Sequence, residues 1–132
     1  MLKAGLTPEA YFGCGSREET YSILQSLKNS SRLPTAFFAG NNVVMRHLLH
    51  VLSEMGAKIP GDVAVAGFDD FDMADIFHPA LTVVRQPADE LGRVAADLLF
   101  ERLGDKKATG GKLIVLPVEL IVRRSCGCNV RR

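Results

Sequence analysis

The sequence has few cysteines, no excess of either charge and no long apolar run, and each shortage removes a class of protein. Only Cys14, Cys126 and Cys128 carry thiols. An odd number without an export signal makes a poor disulfide framework, so these read as reduced, cytosolic thiols. Lysine and arginine total 16 against 15 acids, a net charge of +1. Proteins that grip DNA or RNA usually concentrate basic residues on one face, and this balance gives no such footprint. No apolar stretch approaches the roughly 20 residues that a membrane-spanning helix needs. Met1–Ala10 has neither a basic start nor the apolar centre of a signal peptide. There is no Gly-x-Ser-x-Gly elbow, metalloprotease helix or phosphate-binding loop. Catalysis is not expected, and no cofactor or metal is implied.

What is present is the material of one folded domain: 132 residues, 47% apolar and 23% charged. Helical and extended patterns alternate. Leu2–Gly5 has the look of a helix tail, and Tyr11–Cys14 of a short strand. Ser16 opens a helix, with Glu19 at capping-box spacing and an apolar stripe of Tyr21, Ile23, Leu24 and Leu27. Pro34–Ala39 reads as a strand buried on both faces of a parallel sheet. Asn41 and Asn42 then start a helix with an apolar face of Val44, Leu48, Val51, Leu52 and Met55, which Gly56 ends. Val63–Gly67 and Leu81–Arg85 are further strands, separated by an irregular Phe68–Ala80. Pro87 suits the first turn of a helix whose face is Leu91, Val94, Ala95, Leu98, Leu99 and Leu103. Lys112–Arg124 holds two extended pieces divided by Pro117, before a basic tail. The alternation predicts an α/β fold with a mostly parallel sheet and flanking helices.

Candidate chemistry clusters at the carboxyl ends of the strands, where ligands of open α/β sheets bind. Asn41 stands at one such end and can offer an amide donor and a carbonyl acceptor to a hydroxyl; the alternative is that both asparagines only cap the helix. Asp69 stands at the next end, where its carboxylate can accept two sugar hydroxyls or an amine. As an exposed loop acid it is expected to matter little for folding. Asp72 and Asp75 read as a solvated acidic loop without the pattern of a calcium site. His47 and His50, three apart on a helix, lack a third zinc ligand and read as surface or interface residues. Cys126 and Cys128 alone do not make a metal site. Gly13-Cys14-Gly15 reads as a turn.

Four blocks then resemble the C-terminal effector domain of LacI/GalR-family transcription regulators. They are Leu33-Pro34-Thr35-Ala36-Phe37-Phe38-Ala39-Gly40-Asn41-Asn42, Ile59-Pro60-Gly61-Asp62-Val63-Ala64-Val65-Ala66-Gly67-Phe68-Asp69-Asp70, Pro79-Ala80-Leu81-Thr82-Val83-Val84-Arg85-Gln86-Pro87, and Leu116-Pro117-Val118-Glu119-Leu120-Ile121-Val122-Arg123-Arg124-Ser125-Cys126. The resemblance implies a periplasmic-binding-protein-like fold: two Rossmann-like lobes around a small molecule, usually a sugar or nucleobase. Asn41, Asp69 and Gln86 match residues that line the cleft, and Gln86 matches a position on a crossover between lobes. Residues 1–81 and 112–126 correspond to the C-terminal lobe, and 82–111 to a crossover and helix belonging to the N-terminal lobe. The DNA-binding headpiece and most of the N-terminal lobe have no counterpart in the 132 residues.

The function implied is effector sensing, with operator DNA reached only through a helix-turn-helix headpiece, in the cytoplasm and without a membrane partner. The alternative is a periplasmic sugar-binding protein of a transporter. A homodimer is expected through Val43, Val44, His47 and Leu48, together with the loop near Asp70–Pro79. Without its lobe, the Pro87–Leu103 helix is expected to dock on its own sheet or to exchange with a second copy.

Overall fold

The computed structural model describes Gly5, Thr7 and residues 9–104 and 110–128. The predicted helix tail at Leu2–Gly5 and the end of the basic tail lie largely outside these. Helix α1 spans Arg17–Asn29. Its start is the expected capping box: the Glu19 N–H donates to Ser16 Oγ at 3.2 Å, and the Ser16 N–H donates to Glu19 Oε2 at 3.0 Å. Thr20, Leu24 and Leu27, three and four residues apart, form its buried stripe.

Strand β1 (Ala36–Ala39) leads into α2 (Asn42–Glu54), which returns to β2 (Ala64–Phe68). Strand β3 (Thr82–Arg85), helix α3 (Ala88–Gly104) and β4 (Glu119–Ile121) complete the order. The sheet runs β1-β2-β3-β4. The first three strands are parallel, with Ala39 opposite Gly67 and Gly67 opposite Val83. β4 is antiparallel to β3, with Val83 opposite Ile121. This is the α/β fold with a mostly parallel sheet that the alternation predicts.

The core lies on one face of the sheet. Met45, Leu48, Val51 and Leu52 of α2 pack with Ala39, Val63, Val65, Leu81 and Val83. Gly67 is small for a steric reason. A Cβ there would stand 2.6 Å from Met45 Cε and 3.2 Å from the Ala39 carbonyl oxygen. Ser125 is fully buried beside β3. Its Oγ accepts from the Thr82 N–H at 2.8 Å and donates to the Val65 carbonyl at 2.6 Å.

Four expectations are corrected. Tyr11–Cys14 is not a strand. β1 is an edge strand whose Phe38 is 62% exposed, because no helix among the described residues covers that side of it. Only Glu119–Ile121 of the two extended pieces pairs; the stretch before Pro117 finds no neighbouring strand among the described residues. Finally, α3 does not dock on its own sheet. Among the described residues it buries no side chain and touches no other helix or strand, and Leu99 and Leu103 are exposed. Its local support is exposed ion pairing of Arg93 with Glu90 and Asp97, worth a few tenths of a kcal/mol per pair.

Candidate functional site

The parallel pairing brings Asn41 and Asp69 to neighbouring positions, each two residues beyond the Ala39–Gly67 pair. Gln86 follows the last residue of β3, next along the same edge. The three sequence-predicted residues therefore meet at the carboxyl edge of the sheet.

Asn41 is the N-cap of α2. Its Oδ1 accepts the Val44 N–H at 2.9 Å, which satisfies one of the orphan donors of the first turn. The carbonyl oxygen is thus engaged in capping, and the amide Nδ2 is the group left to donate outward. Asn41 itself is exposed.

Asp69 leaves β2 in the left-handed region, with φ 76°. Aspartate tolerates that conformation better than most residues. Its N–H still donates to the Val84 carbonyl at 3.0 Å, so the strand ladder holds the twist in place. The Gln86 amide Nε2 donates to Asp69 Oδ1 at 2.6 Å. Asp69 is only half exposed, which corrects the expectation of an exposed loop acid, and its left-handed backbone conformation favours few residue types.

Asp70, the neighbouring acid, does something different. Its side chain is 10% exposed and paired with two arginines. Arg123 grips it with both Nη atoms, each at 2.9 Å, and Arg85 reaches Oδ2 with Nη2 at 2.6 Å. The hydrogen bonds from Arg123, followed by those from Arg85, outweigh burial and hold the Asp70 carboxyl below the ordinary aspartate pKa. Bonding to Asp70 raises the pKa of Arg85 in turn. Arg123 Nη1 also donates to the Leu81 carbonyl at 2.8 Å. This cluster clamps the β2–β3 loop to the segment after β4. Sequence reading missed it because the only signal was a pair of adjacent acids, and the positive φ at the first is what sends the two carboxylates to different partners.

Beside the clamp lies an open hollow of about 620 Å³, bounded by Asp70, Asp75, Arg85, Gln86 and Glu90 among others. Asp72 and Asp75 are exposed on its loop. His47 is half-buried with Nδ1 3.3 Å from the Cys14 carbonyl, and His50 is exposed.

The expected interface residues divide. Val43 is 41% exposed, whereas Leu48 is 4% exposed and belongs to the core. Leu48 is therefore not available to a partner, because it falls on the inward stripe with Met45 and Leu52. Val44 packs partly against the same core.

The geometry has clear relatives. The family model described as a periplasmic binding protein-like domain matches residues 1–126. The HTH-type transcriptional repressor PurR of Salmonella arizonae is 37% identical over 108 residues, covering 82% of this chain and 31% of the repressor. The chain thus spans about a third of the length of the curated relatives it matches. Among solved structures, a LacI family transcriptional regulator from Enterococcus faecium with bound ribose is 34% identical, with a TM-score of 0.68 over 83% of this chain and 40% of that one. The complex of the transcriptional regulator CelR with cellobiose is 30% identical, with a TM-score of 0.75 over 94% of this chain and 38% of that one. The chain belongs to the periplasmic binding protein-like domain family, within which it has the character of a LacI/GalR-type effector-binding domain.

Proposed function

We propose that this chain is the effector-sensing part of a cytoplasmic LacI-type transcription regulator, and that its effector is a sugar. The observation that carries the reading is the convergence of Asn41, Asp69 and Gln86 on one sheet edge. Asp69 keeps one oxygen for Gln86 and presents the other, a good acceptor for a sugar hydroxyl. The Asn41 amide supplies a donor beside it. Ribose and cellobiose in the two solved relatives support this class of ligand. The mechanism is linkage: an effector that binds one arrangement of two lobes better shifts the population, and an attached helix-turn-helix headpiece changes its operator affinity.

In this reading the stretch that crosses to the second lobe begins at Gln86, after β3, because Thr82–Arg85, assigned to the crossover on the resemblance, pairs with β2 and β4 in this lobe's own sheet. The bare apolar side of α3, with Leu99 and Leu103 exposed, suits a helix that packs on a lobe outside this chain. The regulator is a homodimer through the outward side of α2, where Val43 and His47 stand, with the Asp70–Pro79 loop.

The test is calorimetry on the two-lobed protein carrying this chain, with a panel that includes ribose and cellobiose. Asp69→Asn keeps the backbone conformation and removes the charge. Loss of a charged hydrogen bond, about 1.5–3 kcal/mol, weakens binding roughly tenfold to a hundredfold. Unchanged affinity for a sugar that binds the parent removes Asp69 from the site.

A further inference from the structure

The two acids that leave β2 and the two polar residues that leave β3 exchange partners. β2 and β3 are parallel, with Phe68 opposite Val84. Continued by one and two residues, that register sets Asp69 opposite Arg85 and Asp70 opposite Gln86. The side chains pair the other way round. Gln86 Nε2 donates to Asp69 Oδ1 at 2.6 Å, and Arg85 donates to Asp70 Oδ2 from Nε at 3.0 Å and from Nη2 at 2.6 Å. Between the two acids the chain turns out of the strand, through the left-handed φ of 76° at Asp69.

This exchange decides where the positive charge goes. Two arginines meet Asp70, and among the described residues no ion pair joins either of them to Asp69. Arg123 is itself anchored: its Nη1 donates to the Leu81 carbonyl at 2.8 Å and its backbone N–H to Thr82 Oγ1 at 2.9 Å. Asp70 is thereby tied to the start of β3, and its side chain is nearly buried, whereas that of Arg85 is about half exposed. Arg85 therefore has room to turn, and a second carboxylate stands one residue from the one it holds. The other acid paired with Arg85 is Glu119, at 3.7 Å and exposed, and an ion pair of that kind is weak. A guanidinium binds a carboxylate more strongly than a neutral amide does.

We propose that Asp70 is a positioning residue of the effector site which, with Arg123, draws Arg85 away from Asp69 and so keeps the Asp69 carboxylate open to an uncharged sugar hydroxyl. The inference rests on the reading of Asp69 as the effector's acceptor. With an amide in place of the Asp70 carboxylate, Arg85 loses its charged partner there. The guanidinium then turns to Asp69, displaces Gln86 and occupies the acceptor positions that a hydroxyl needs. Asp70 acts on the effector only through Arg85.

The experiment is 15N NMR of the full chain, read at the Gln86 side-chain amide and at Arg85 Nε–H. Asp69→Asn alone should move the Gln86 amide and leave Arg85 Nε–H in place, and Arg85→Gln alone should leave the Gln86 amide in place. Asp70→Asn should move the Gln86 amide to the position of an unbonded glutamine side chain. Asp70→Asn combined with Arg85→Gln should return it to the parent position, which a general loss of structure would not do. In the two-lobed protein carrying this chain, Asp70→Asn should weaken ribose binding about tenfold, and adding Arg85→Gln should restore most of the loss. The NMR signals need no ligand, so they decide the role of Asp70 even where ribose fails to bind, a failure that speaks against the sugar reading alone. Should Asp70→Asn not fold, the two single variants at Asp69 and Arg85 decide. A Gln86 amide unmoved by Asp70→Asn, one that does not return with Arg85→Gln, or an Arg85 signal that moves in Asp69→Asn alone overturns the proposal.

Discussion

Gln86 Nε2 donates to Asp69 Oδ1 at 2.6 Å, so the residue leaving β3 holds the carboxylate of the residue leaving β2. Asp69 occupies the left-handed region to make this contact. The strand ends thus set a carboxylate at the sheet edge in a fixed orientation, which is what hydroxyl recognition needs and what a mobile loop acid would not provide.

The backbone at Asp69 carries a stability prediction. Alanine and glycine at this position lose the same bond to Gln86 but differ in their tolerance of positive φ. Asp69→Gly is expected to be more stable than Asp69→Ala by about 1 kcal/mol, measured by denaturant unfolding. Equal stabilities would mean that the chain relaxes out of the left-handed conformation at no energetic penalty.

The Arg123–Asp70 pair makes stability depend on acid. The folded pKa of Asp70 is lowered, first by its hydrogen bonds with Arg123. A carboxyl with a depressed folded pKa binds its proton more readily when unfolded. Its contribution is therefore complete above the ordinary aspartate pKa of about 3.9 and is lost as pH falls below that through the folded value. Arg123→Met should lower stability at neutral pH by roughly 3 kcal/mol, since it leaves the nearly buried Asp70 with the more exposed Arg85 alone. It should also flatten the loss of stability below about pH 4. An acid transition identical in variant and parent would show that Asp70 does not drive it.

Ser125 gives the third prediction. Its hydroxyl serves the Thr82 N–H and the Val65 carbonyl at full burial. Ser125→Ala leaves both backbone groups without that partner, and an unsatisfied buried group costs about 1–3 kcal/mol. A loss of about 2–4 kcal/mol is expected in thermal or denaturant unfolding. A loss under about 1 kcal/mol would mean that other groups or water take over both bonds.

Much of the architecture was legible in the residues because local rules agree with the final fold. Ser16 and Glu19 are at capping-box spacing and do form the box. The apolar run before Asn41 is a strand and the periodic run after it is a helix. The order of strands and helices, and the place of Asn41, Asp69 and Gln86 after strands, come from patterns that reach only a few residues along the chain. Periodicity does not say which apolar face finds a partner. The apolar run suggested that Phe38 is covered, and the resemblance suggested that the Pro87–Leu103 helix docks on the sheet or exchanges with a second copy; among the described residues Phe38 is exposed and the helix touches no other element. Periodicity placed Leu48 on the inward face of α2 while the dimer expected from the resemblance also claimed it, and packing against the sheet keeps it inward. The separate fates of Asp69 and Asp70 rest on one backbone angle and on Arg123, which lies 53 residues further along the chain. Such a pairing joins groups that no short-range rule relates. The sequence by itself thus determined the elements and the residues that end them. Tertiary structure decided which acid is clamped, which is presented, and which faces remain open, because burial and ion pairing depend on segments that meet only after the chain has folded.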